Sequence, residues 1–299
     1  MSVAVVLMAY GSPDRLEDVP AYYADIRGGR PIRQELLEEL VERYRSLGVG
    51  REAVSPLNAV TEEQRAALER ELGVSVFTGM RHWQPRIAEA AGRALASGAR
   101  VVVGLVLAPH YSTMSIGAYR RRLEEAVGDH AELRFVDRWG DEPGLHALWA
   151  EKLVAQSNYL SSHVVFTAHS LPARILEQGD PYRDELIATS AAIAERAGLR
   201  DWSFSFQSES ATGEPWLGPD ILEHLDELAA HGTRDVLLCP IGFVSEHLEI
   251  RWDLDVEAAR RASDLGVGLR RVDMPNAEPA LVDVLAALVR RAAAVPSVM

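Results

Sequence analysis

A tyrosine and a histidine stand at matching places in the two halves of this chain. Tyr10 follows the apolar run 3–8 and belongs to the string AYGSP, whereas His169 follows the run 164–167 and belongs to the string AHSLP. Residues that follow parallel strands gather at one edge of the sheet, where α/β proteins place their binding loops. An imidazole can accept a proton near neutral pH, and a phenol opposite it offers a second flat ring. The positions of Tyr10 and His169 therefore predict a single cleft, in which a flat ligand would lie between the phenol and the imidazole.

Three carboxylates recur at every fourth residue after the strand-like run 235–240. Glu249, Asp253 and Glu257 would lie along one face of an α-helix, where like charges repel one another. A solvated acidic face is the simplest interpretation of such a stripe. The stripe begins beside His247, however, at a point where a strand has just ended. We therefore favour a row of oxygen and nitrogen donors for a divalent cation.

A lone histidine after a strand is more often a structural group than a base. The polar string QSES at 207–210 and the turn-rich segment 213–219 follow the next strand along the chain. These residues are placed to line the same crevice as His169, although an ordinary loop would show the same composition. Their position favours a functional role for His169.

Composition excludes several classes of protein. The 299-residue chain carries 44 acidic and 31 basic residues, for a formal net charge of −13, which disfavours binding to nucleic acid. Its single cysteine, Cys239, excludes an internal disulfide framework and a cysteine-held iron–sulfur cluster, and fits a reducing compartment. No run approaches the roughly 18–20 apolar residues of a membrane span. We expect a cytoplasmic protein without a membrane-bound segment, and a monomer because no heptad repeat requires a partner.

Short β-branched runs alternate with longer amphipathic stretches, as is typical of parallel sheets with helices on both faces. The predicted strands are 3–8, 74–78, 101–107, 133–136, 163–167, 203–206, 235–240 and 269–272. The predicted helices of the second half are 181–197, 219–231, 248–262 and 280–293. The strings GARVV from Gly98 and GTRDV from Gly232 each lead from a helix into a strand. The sequence thus predicts an α/β protein of two doubly wound domains, 1–148 and 149–299, each with a roughly four-stranded parallel sheet and related by a pseudo-duplication.

Short strings along nearly the whole chain resemble the ferrochelatases, and most closely the coproporphyrin ferrochelatases of monoderm bacteria. They are MAYGSP at 8–13, IRGGR at 26–30, SPL at 55–57, LAPHYS at 107–112, AHSLP at 168–172, GDPY at 179–182, WLGP at 216–219, GFVSEHLE at 242–249 and MPNA at 274–277. The order and spacing of these strings make the resemblance specific. It implies a lyase of haem biosynthesis that inserts Fe²⁺ into a porphyrin bound between two Rossmann-like, chelatase-like domains.

The same resemblance implies a role for each candidate site residue. His169 and Glu249 match the pair that takes pyrrole protons or handles the metal, and Asp253 and Glu257 match the acidic line behind that pair. Tyr10 matches a tyrosine on the opposite face of the macrocycle, an axial ligand to the inserted iron. Metal could enter on the His169 side or past Tyr10. An additional divalent ion could bind at the acidic helix.

The four propionates of coproporphyrin call for cations and hydroxyls at the rim of the cleft, where an arginine fork suits a carboxylate. The candidates that the resemblance assigns to this task are Ser12, Arg27, Arg30, Arg43, Ser55 and Tyr119. Alternatively, Arg43 belongs to a solvated helix, and Arg27 and Arg30 belong to a surface loop. Propionate binding at these positions is therefore an expectation that rests on the resemblance.

Three observations imply coproporphyrin III as the substrate: Tyr10, the polar segment 14–18 in place of an apolar lip, and the absence of a cluster-binding extension after the last helix. The alternatives are a protoporphyrin IX ferrochelatase, a chelatase that places cobalt or nickel in sirohydrochlorin, and a tetrapyrrole carrier without turnover. We expect no organic cofactor and no iron–sulfur cluster, because Fe²⁺ is itself a substrate. The expected partners are coproporphyrin III, Fe²⁺ and a transient protein that receives the product.

Overall fold

The structure, a computed structural model, describes residues 2–46, 48, 56–210 and 213–294. Within those residues, eight strands form two parallel sheets of four, with the orders β2-β1-β3-β4 and β6-β5-β7-β8. The strands are β1 Val3–Ala9, β2 Val76–Met80, β3 Val101–Val106, β4 Glu132–Val136, β5 His163–His169, β6 Trp202–Gln207, β7 Asp235–Cys239 and β8 Gly268–Arg271. The predicted α/β fold with two four-stranded parallel sheets is confirmed.

Helices cover both faces of each sheet. They are α1 Val19–Ile26, α2 Gln34–Ser46, α3 Pro56–Leu72, α4 Ile87–Ala96, α5 Ile116–Val127, α6 Pro143–Val154, α7 Arg174–Glu177, α8 Tyr182–Ala197, α9 Ile221–Ala230, α10 Ala259–Asp264 and α11 Pro279–Ala294, with a 3₁₀ turn at Leu16–Asp18 and a π-helix at Ile250–Ala258. None of the helices among the described residues combines the length and the apolar composition needed to cross a membrane.

The two halves share one strand order, so β1 corresponds to β5 and β3 to β7. The strings from Gly98 and Gly232 lead into β3 and β7, and both glycines have a positive φ, +81° and +91°. That left-handed conformation ends the preceding helix and is one that glycine adopts without strain. Tyr10 directly follows β1, and His169 is the last residue of β5. Both side chains therefore stand at the carboxyl ends of equivalent central strands.

The main hydrophobic core extends across both sheets. It includes Leu7 of β1 and Phe166 of β5, together with Trp149 of α6, all fully buried. The final helix, α11, packs back against β3, β4, α3 and α6 of the first half. The two sheets are thus joined by apolar packing as well as by the chain itself.

A helical hairpin formed by α1 and α2 extends from the first half toward the second. Its core contains Val19, Tyr22 and Tyr44, which pack with Trp83 of the first half and Leu248 of the second. This packing brings α2 to the acidic stretch that follows Leu248.

His110 is a buried link between the halves. Its Nε2 lies 3.0 Å from Oγ1 of Thr189 on α8, and that hydroxyl donates to the carbonyl of Gly140 at 2.9 Å. Position 140 has no room for a side chain, because a Cβ there would lie 2.6 Å from Cδ2 of His110. Burial, with a smaller effect from His146, lowers the pKa of His110 to about 3.

We expect acid to destabilise the protein partly through His110. An unfolded histidine takes up a proton near pH 6.5, whereas the folded ring stays neutral until about pH 3. The unfolded state binds more protons between these values, so the free energy of unfolding falls as the pH falls, by up to about 1.4 kcal/mol per pH unit. His110→Gln will reduce this slope in urea unfolding, whereas the exposed His231→Gln will not. An unchanged slope in His110→Gln would show that other groups account for it.

Candidate active site between the two sheets

Glu249 lies between two imidazoles. Its Oε1 is 3.5 Å from Nε2 of His169, and its Oε2 is 3.4 Å from Nε2 of His247. Nδ1 of His169 contacts the carbonyl of Ser170, and Nδ1 of His247 lies 2.9 Å from the carbonyl of Ser245. A carbonyl only accepts hydrogen bonds, so each Nδ1 carries a proton while each Nε2 faces a carboxylate. This arrangement favours the protonated form of His169.

The charged forms of His169 and Glu249 stabilise each other. Burial alone would lower the pKa of His169, but the charge and hydrogen bond of Glu249, with the carbonyl of Ser170, raise it to about 9. Burial likewise opposes the ionised form of Glu249, yet the two imidazoles hold its pKa well below the ordinary value. At neutral pH the pair is an imidazolium beside a carboxylate. Glu249 is thus ionised at rest and stabilises the protonated form of His169, and His169 becomes a base only after it gives up its own proton.

Hydrogen bonds to the main chain fix both members of the pair. The hydroxyl of Tyr182 donates to the carbonyl of His169 at 2.9 Å. The side chain of Gln207 is buried beneath them: it accepts from Oγ1 of Thr167 at 2.9 Å and donates to the carbonyl of Glu249 at 3.2 Å. Gln207 therefore joins β5, β6 and the acidic helix at one point.

Glycine at position 242 lets the loop before Glu249 approach β5. A Cβ at Gly242 would lie 2.4 Å from Cβ of Ala168, the residue before His169. Any larger side chain would push the loop away from the strand end, and with it the carboxylate of Glu249.

The acidic line behind Glu249 contacts the first half through Arg43. Nη1 of Arg43 is 3.5 Å from Oδ1 of Asp253, and Nη2 is 3.6 Å from Oε1 of Glu257. Ser208 also donates to Asp253. Burial, and next the charge of Glu249, raise the pKa of Asp253 to about 7, so this carboxyl group exchanges protons near neutral pH. Arg43, a candidate for propionates, is engaged by carboxylates in this structure.

The stretch 248–262 does not form the single α-helix that the sequence predicted. Ile250–Ala258 forms a π-helix, and α10 follows it at Ala259–Asp264. Hydrophobic periodicity does not separate i→i+4 from i→i+5 hydrogen bonding, and carboxylates four residues apart repel each other in an α-helix. π-helical turns occur frequently at functional sites.

Tyr10 directly follows β1, the strand of the first half that corresponds to β5. Its side chain is 37% exposed, and its ring centroid lies 4.6 Å from that of His82. The guanidinium of Arg81 stands 6.0 Å from the ring centroid of Tyr10 and 5.4 Å from that of Tyr119. Burial, and next the charge of Glu249, raise the pKa of Tyr10 above its ordinary value. The carboxylate thus acts on a phenol from the other half of the chain.

Several further phenols lie within the field of the same carboxylate. Burial and the charge of Glu249 both contribute to raised pKa values at Tyr22, Tyr44, Tyr119 and Tyr182. The charge of Glu249 therefore influences tyrosines of both halves of the chain.

The other rim candidates are dispersed. Ser12 is buried and donates to the hydroxyl of Tyr44 at 3.0 Å, and Tyr119 is buried as well. Arg27 donates to the carbonyl of Pro31 at 3.3 Å, and Arg30 is exposed. Ser55 lies outside the described residues. The structure therefore gathers His169, Glu249, Asp253, Glu257 and Arg43, places Tyr10 at the carboxyl end of the equivalent strand of the first half, and leaves Arg30 at the surface.

A sequence model of the ferrochelatase family matches residues 2–293 of this chain. The chain belongs to the ferrochelatase family. A ferrochelatase of Herpetosiphon aurantiacus is 41% identical over 297 residues, which cover 96% of this chain and 97% of that protein. A coproporphyrin III ferrochelatase of Halalkalibacterium halodurans is 36% identical over 304 residues, which cover 97% of this chain and 96% of that protein. The reaction of this ferrochelatase is thus the insertion of iron into a porphyrin.

Solved structures share the fold of this ferrochelatase. The structure of SirB from Bacillus subtilis with Fe³⁺ aligns with a TM-score of 0.64 at 11% identity, covering 98% of this chain and 96% of that one. CbiX, from siroheme biosynthesis in denitrifying bacteria, aligns with a TM-score of 0.54 at 15% identity, covering 99% and 100%. At these identities the likeness concerns the fold alone.

Some site residues of this ferrochelatase were not predicted from its sequence. Arg81 and His82 follow β2, which pairs directly with β1, and their backbone N–H groups donate to the carbonyls of Ala9 and Tyr10. The rule that strand carboxyl ends form the site would have found them. The string GDPY at 179–182 includes Tyr182 but does not predict its contact with His169, which arises from tertiary packing.

Proposed function

We propose that this ferrochelatase inserts Fe²⁺ into coproporphyrin III and yields coproheme. The observation that carries the proposal is the His169–Glu249 pair at the carboxyl end of β5, with Tyr10 at the carboxyl end of the equivalent strand β1; in the proposal the macrocycle lies between them. Support also comes from the 36% identity to enzymes named for coproporphyrin III and from the polar residues at 14–18. The relative at 41% identity is named for ferrochelatase activity without a specified porphyrin.

The chemistry begins with proton removal. Insertion replaces two pyrrole N–H protons by one Fe²⁺, so the site must accept two protons per turnover. In the proposed mechanism His169 accepts a pyrrole proton each time it has released its own, and Glu249, ionised at rest, stabilises the imidazolium that forms. Asp253, with a pKa of about 7, is suited to pass protons toward solvent. A side chain with a pKa near the working pH is the most effective proton carrier.

Tyr10 is proposed to act on the opposite face of the ring. Its raised pKa keeps it a neutral phenol until a metal cation displaces its proton, and the nearby guanidinium of Arg81 favours the resulting phenolate. Tyrosine is an established axial ligand of haem iron. Tyr10 would therefore contribute mainly after iron has entered, by holding the product.

The acidic line offers a route for the cation on the His169 side. Asp253 and Glu257 present carboxylate oxygens, which suit divalent iron, and Arg43 occupies their negative field in this structure. We propose that an incoming or additional divalent ion competes with Arg43 for these carboxylates. The proposed reaction requires no organic cofactor and no iron–sulfur cluster.

We expect coproporphyrin III to be metallated more efficiently than protoporphyrin IX. It carries two more propionates, and each carboxylate that meets an arginine contributes about 1.5–3 kcal/mol, which corresponds to about ten-fold or more in kcat/KM. Anaerobic assays with Fe²⁺ and each porphyrin, followed by the Soret change, measure the ratio.

The same assay tests the alternatives. A clear preference for protoporphyrin IX would contradict the proposal. Metallation of sirohydrochlorin by cobalt without iron insertion would indicate the other chelatase class. Binding of porphyrin without any metallation would indicate a carrier.

A further inference from the structure

A pair of arginines near Tyr10 has no acidic partner. Arg81 directly follows β2, and Arg122 lies on α5. Nη1 of Arg122 donates to the main-chain carbonyl of Arg81, so the two residues are in direct contact. Among the residues that the structure describes, no carboxylate forms an ion pair with either guanidinium. Two positive charges therefore lie close together at the carboxyl end of β2.

Asp25, a carboxylate of the same region, is already engaged. Its Oδ1 lies 3.0 Å from Nη2 of Arg86, and its Oδ2 lies 2.8 Å from Nδ1 of His82. Arg86 also donates to the carbonyl of Arg81 at 3.4 Å, which brings a third guanidinium group to this place. Burial, and next the charge of Arg81, lower the pKa of Arg122, and the charge of Asp25 offsets them only in part. The region is thus locally positive in a chain whose formal net charge is −13.

The guanidinium of Arg81 is held in a fixed position. The main-chain N–H of Arg81 donates to the carbonyl of Ala9 at 2.9 Å, and the guanidinium lies 6.0 Å from the ring centroid of Tyr10 and 5.4 Å from that of Tyr119. Cations interact favourably with aromatic rings at such distances. Nε of Arg81 is buried and has no hydrogen-bond partner among the described residues. Because a buried charged donor without a partner is unfavourable, this side chain is arranged for an anion that the chain itself does not supply.

A carboxylate of the substrate is the anion that fits. Guanidinium groups bind carboxylates through paired, charge-assisted hydrogen bonds, and coproporphyrin III carries four propionates. Arg43, which the resemblance assigned to propionates, is engaged by Asp253 and Glu257. A macrocycle that contacts Tyr10 would bring the groups at its edge to Arg81.

We propose that Arg81 and Arg122 bind one propionate of the porphyrin on the Tyr10 side and so contribute to the preference for coproporphyrin III. This inference rests on the proposed function, since it takes the porphyrin to lie against Tyr10. The contact exists before iron enters, so its effect falls on the affinity for metal-free porphyrin. Stabilisation of a Tyr10 phenolate by Arg81 is a separate effect, which requires a bound metal.

Titration of the full chain with metal-free porphyrin tests the proposal. The ligands are coproporphyrin III and its tetramethyl ester, which has the same ring without charged carboxylates, in one detergent-containing buffer. Arg122 is exposed, so Arg122→Gln removes its charge with little effect on packing. We expect Arg122→Gln and Arg81→Gln each to weaken binding of coproporphyrin III about ten-fold or more, the usual effect of losing a hydrogen bond to a charged group. Binding of the ester should not change in either variant.

Arg100→Gln provides a matched control. Arg100 is exposed and precedes β3, at the opposite end of the strands, so this variant removes one positive charge away from the proposed contact and should bind both ligands normally. Arg81→Lys keeps the charge without the fork and should retain part of the affinity. In the iron-insertion assay Arg122→Gln should raise KM and leave kcat nearly unchanged, because the contact is made equally in the ground state and the transition state.

Two results would overturn the proposal: normal affinity of both glutamine variants for coproporphyrin III, or an equal loss of affinity for the acid and for the ester. If Arg81→Gln fails to fold, Arg122→Gln alone decides the question. A preference of the unmodified protein for protoporphyrin IX would refute the proposed substrate but not the carboxylate contact. Protoporphyrin IX carries two propionates, and the same comparison with its dimethyl ester would then decide whether the arginines bind one of them.

Discussion

Glu249→Gln will slow iron insertion by about 10²–10⁴-fold, the usual contribution of a positioned acid–base group. The carboxylate is ionised at rest beside the proposed porphyrin site, and its amide replacement carries no charge that could stabilise a protonated His169. It also holds the proton on His169. Without the charge of Glu249, burial dominates and the pKa of His169 should fall from about 9 to below the ordinary value of roughly 6.5.

Two measurements separate these effects. Single-turnover metallation gives the rate, and NMR titration of the His169 ring gives its pKa in the unmodified protein and the variant. Glu246→Gln provides a matched control, since Glu246 lies three positions earlier and pairs with Arg251 and Arg271 instead. Near-normal metallation in Glu249→Gln would remove Glu249 from its proposed role.

His169→Ala will strongly slow product formation while porphyrin binding survives. The imidazole is the proposed partner of Glu249 in proton transfer. His169 is the last residue of β5, and the residues of this strand that pack in the core are Ala168 and Phe166, not His169. Removing the ring therefore leaves the core intact and also removes the cation that stabilises Glu249. We expect a rate loss comparable to that of Glu249→Gln, again about 10²–10⁴-fold.

Fluorescence titration with metal-free coproporphyrin III measures binding, and the Soret change with Fe²⁺ measures insertion. The exposed His231→Ala should behave as the unmodified protein in both assays. If His169→Ala metallates porphyrin at the normal rate, proton transfer must involve other groups.

The sequence predicted the parts of the fold that depend on local pattern. All eight predicted strands are present, and the repeat of Gly98 and Gly232 corresponds to equivalent strand starts. Strand ends were less accurate: β2 lies two residues beyond the predicted 74–78, because its register is set by pairing with β1, in which Val5 faces Val76. β5 continues two residues beyond the predicted Thr167 for a similar reason, since Ala168 and His169 pair with β6.

Contacts between distant residues account for what the sequence did not predict in the site. Arg43 and Asp253 are 210 positions apart, and their approach depends on the packing of α1 and α2 against Leu248. Neither spacing nor composition carries that information. The pairing of Glu249 with His247 as well as His169 depends likewise on the turn that Gly242 allows against β5.

A crystal structure of the protein with coproporphyrin III in the cleft tests the central claim most directly. The account predicts that the macrocycle lies with the phenol of Tyr10 on one face and the His169–Glu249 pair on the other, each within contact distance of the pyrrole nitrogens or the metal. A macrocycle bound elsewhere, or with both groups on the same face, would contradict it.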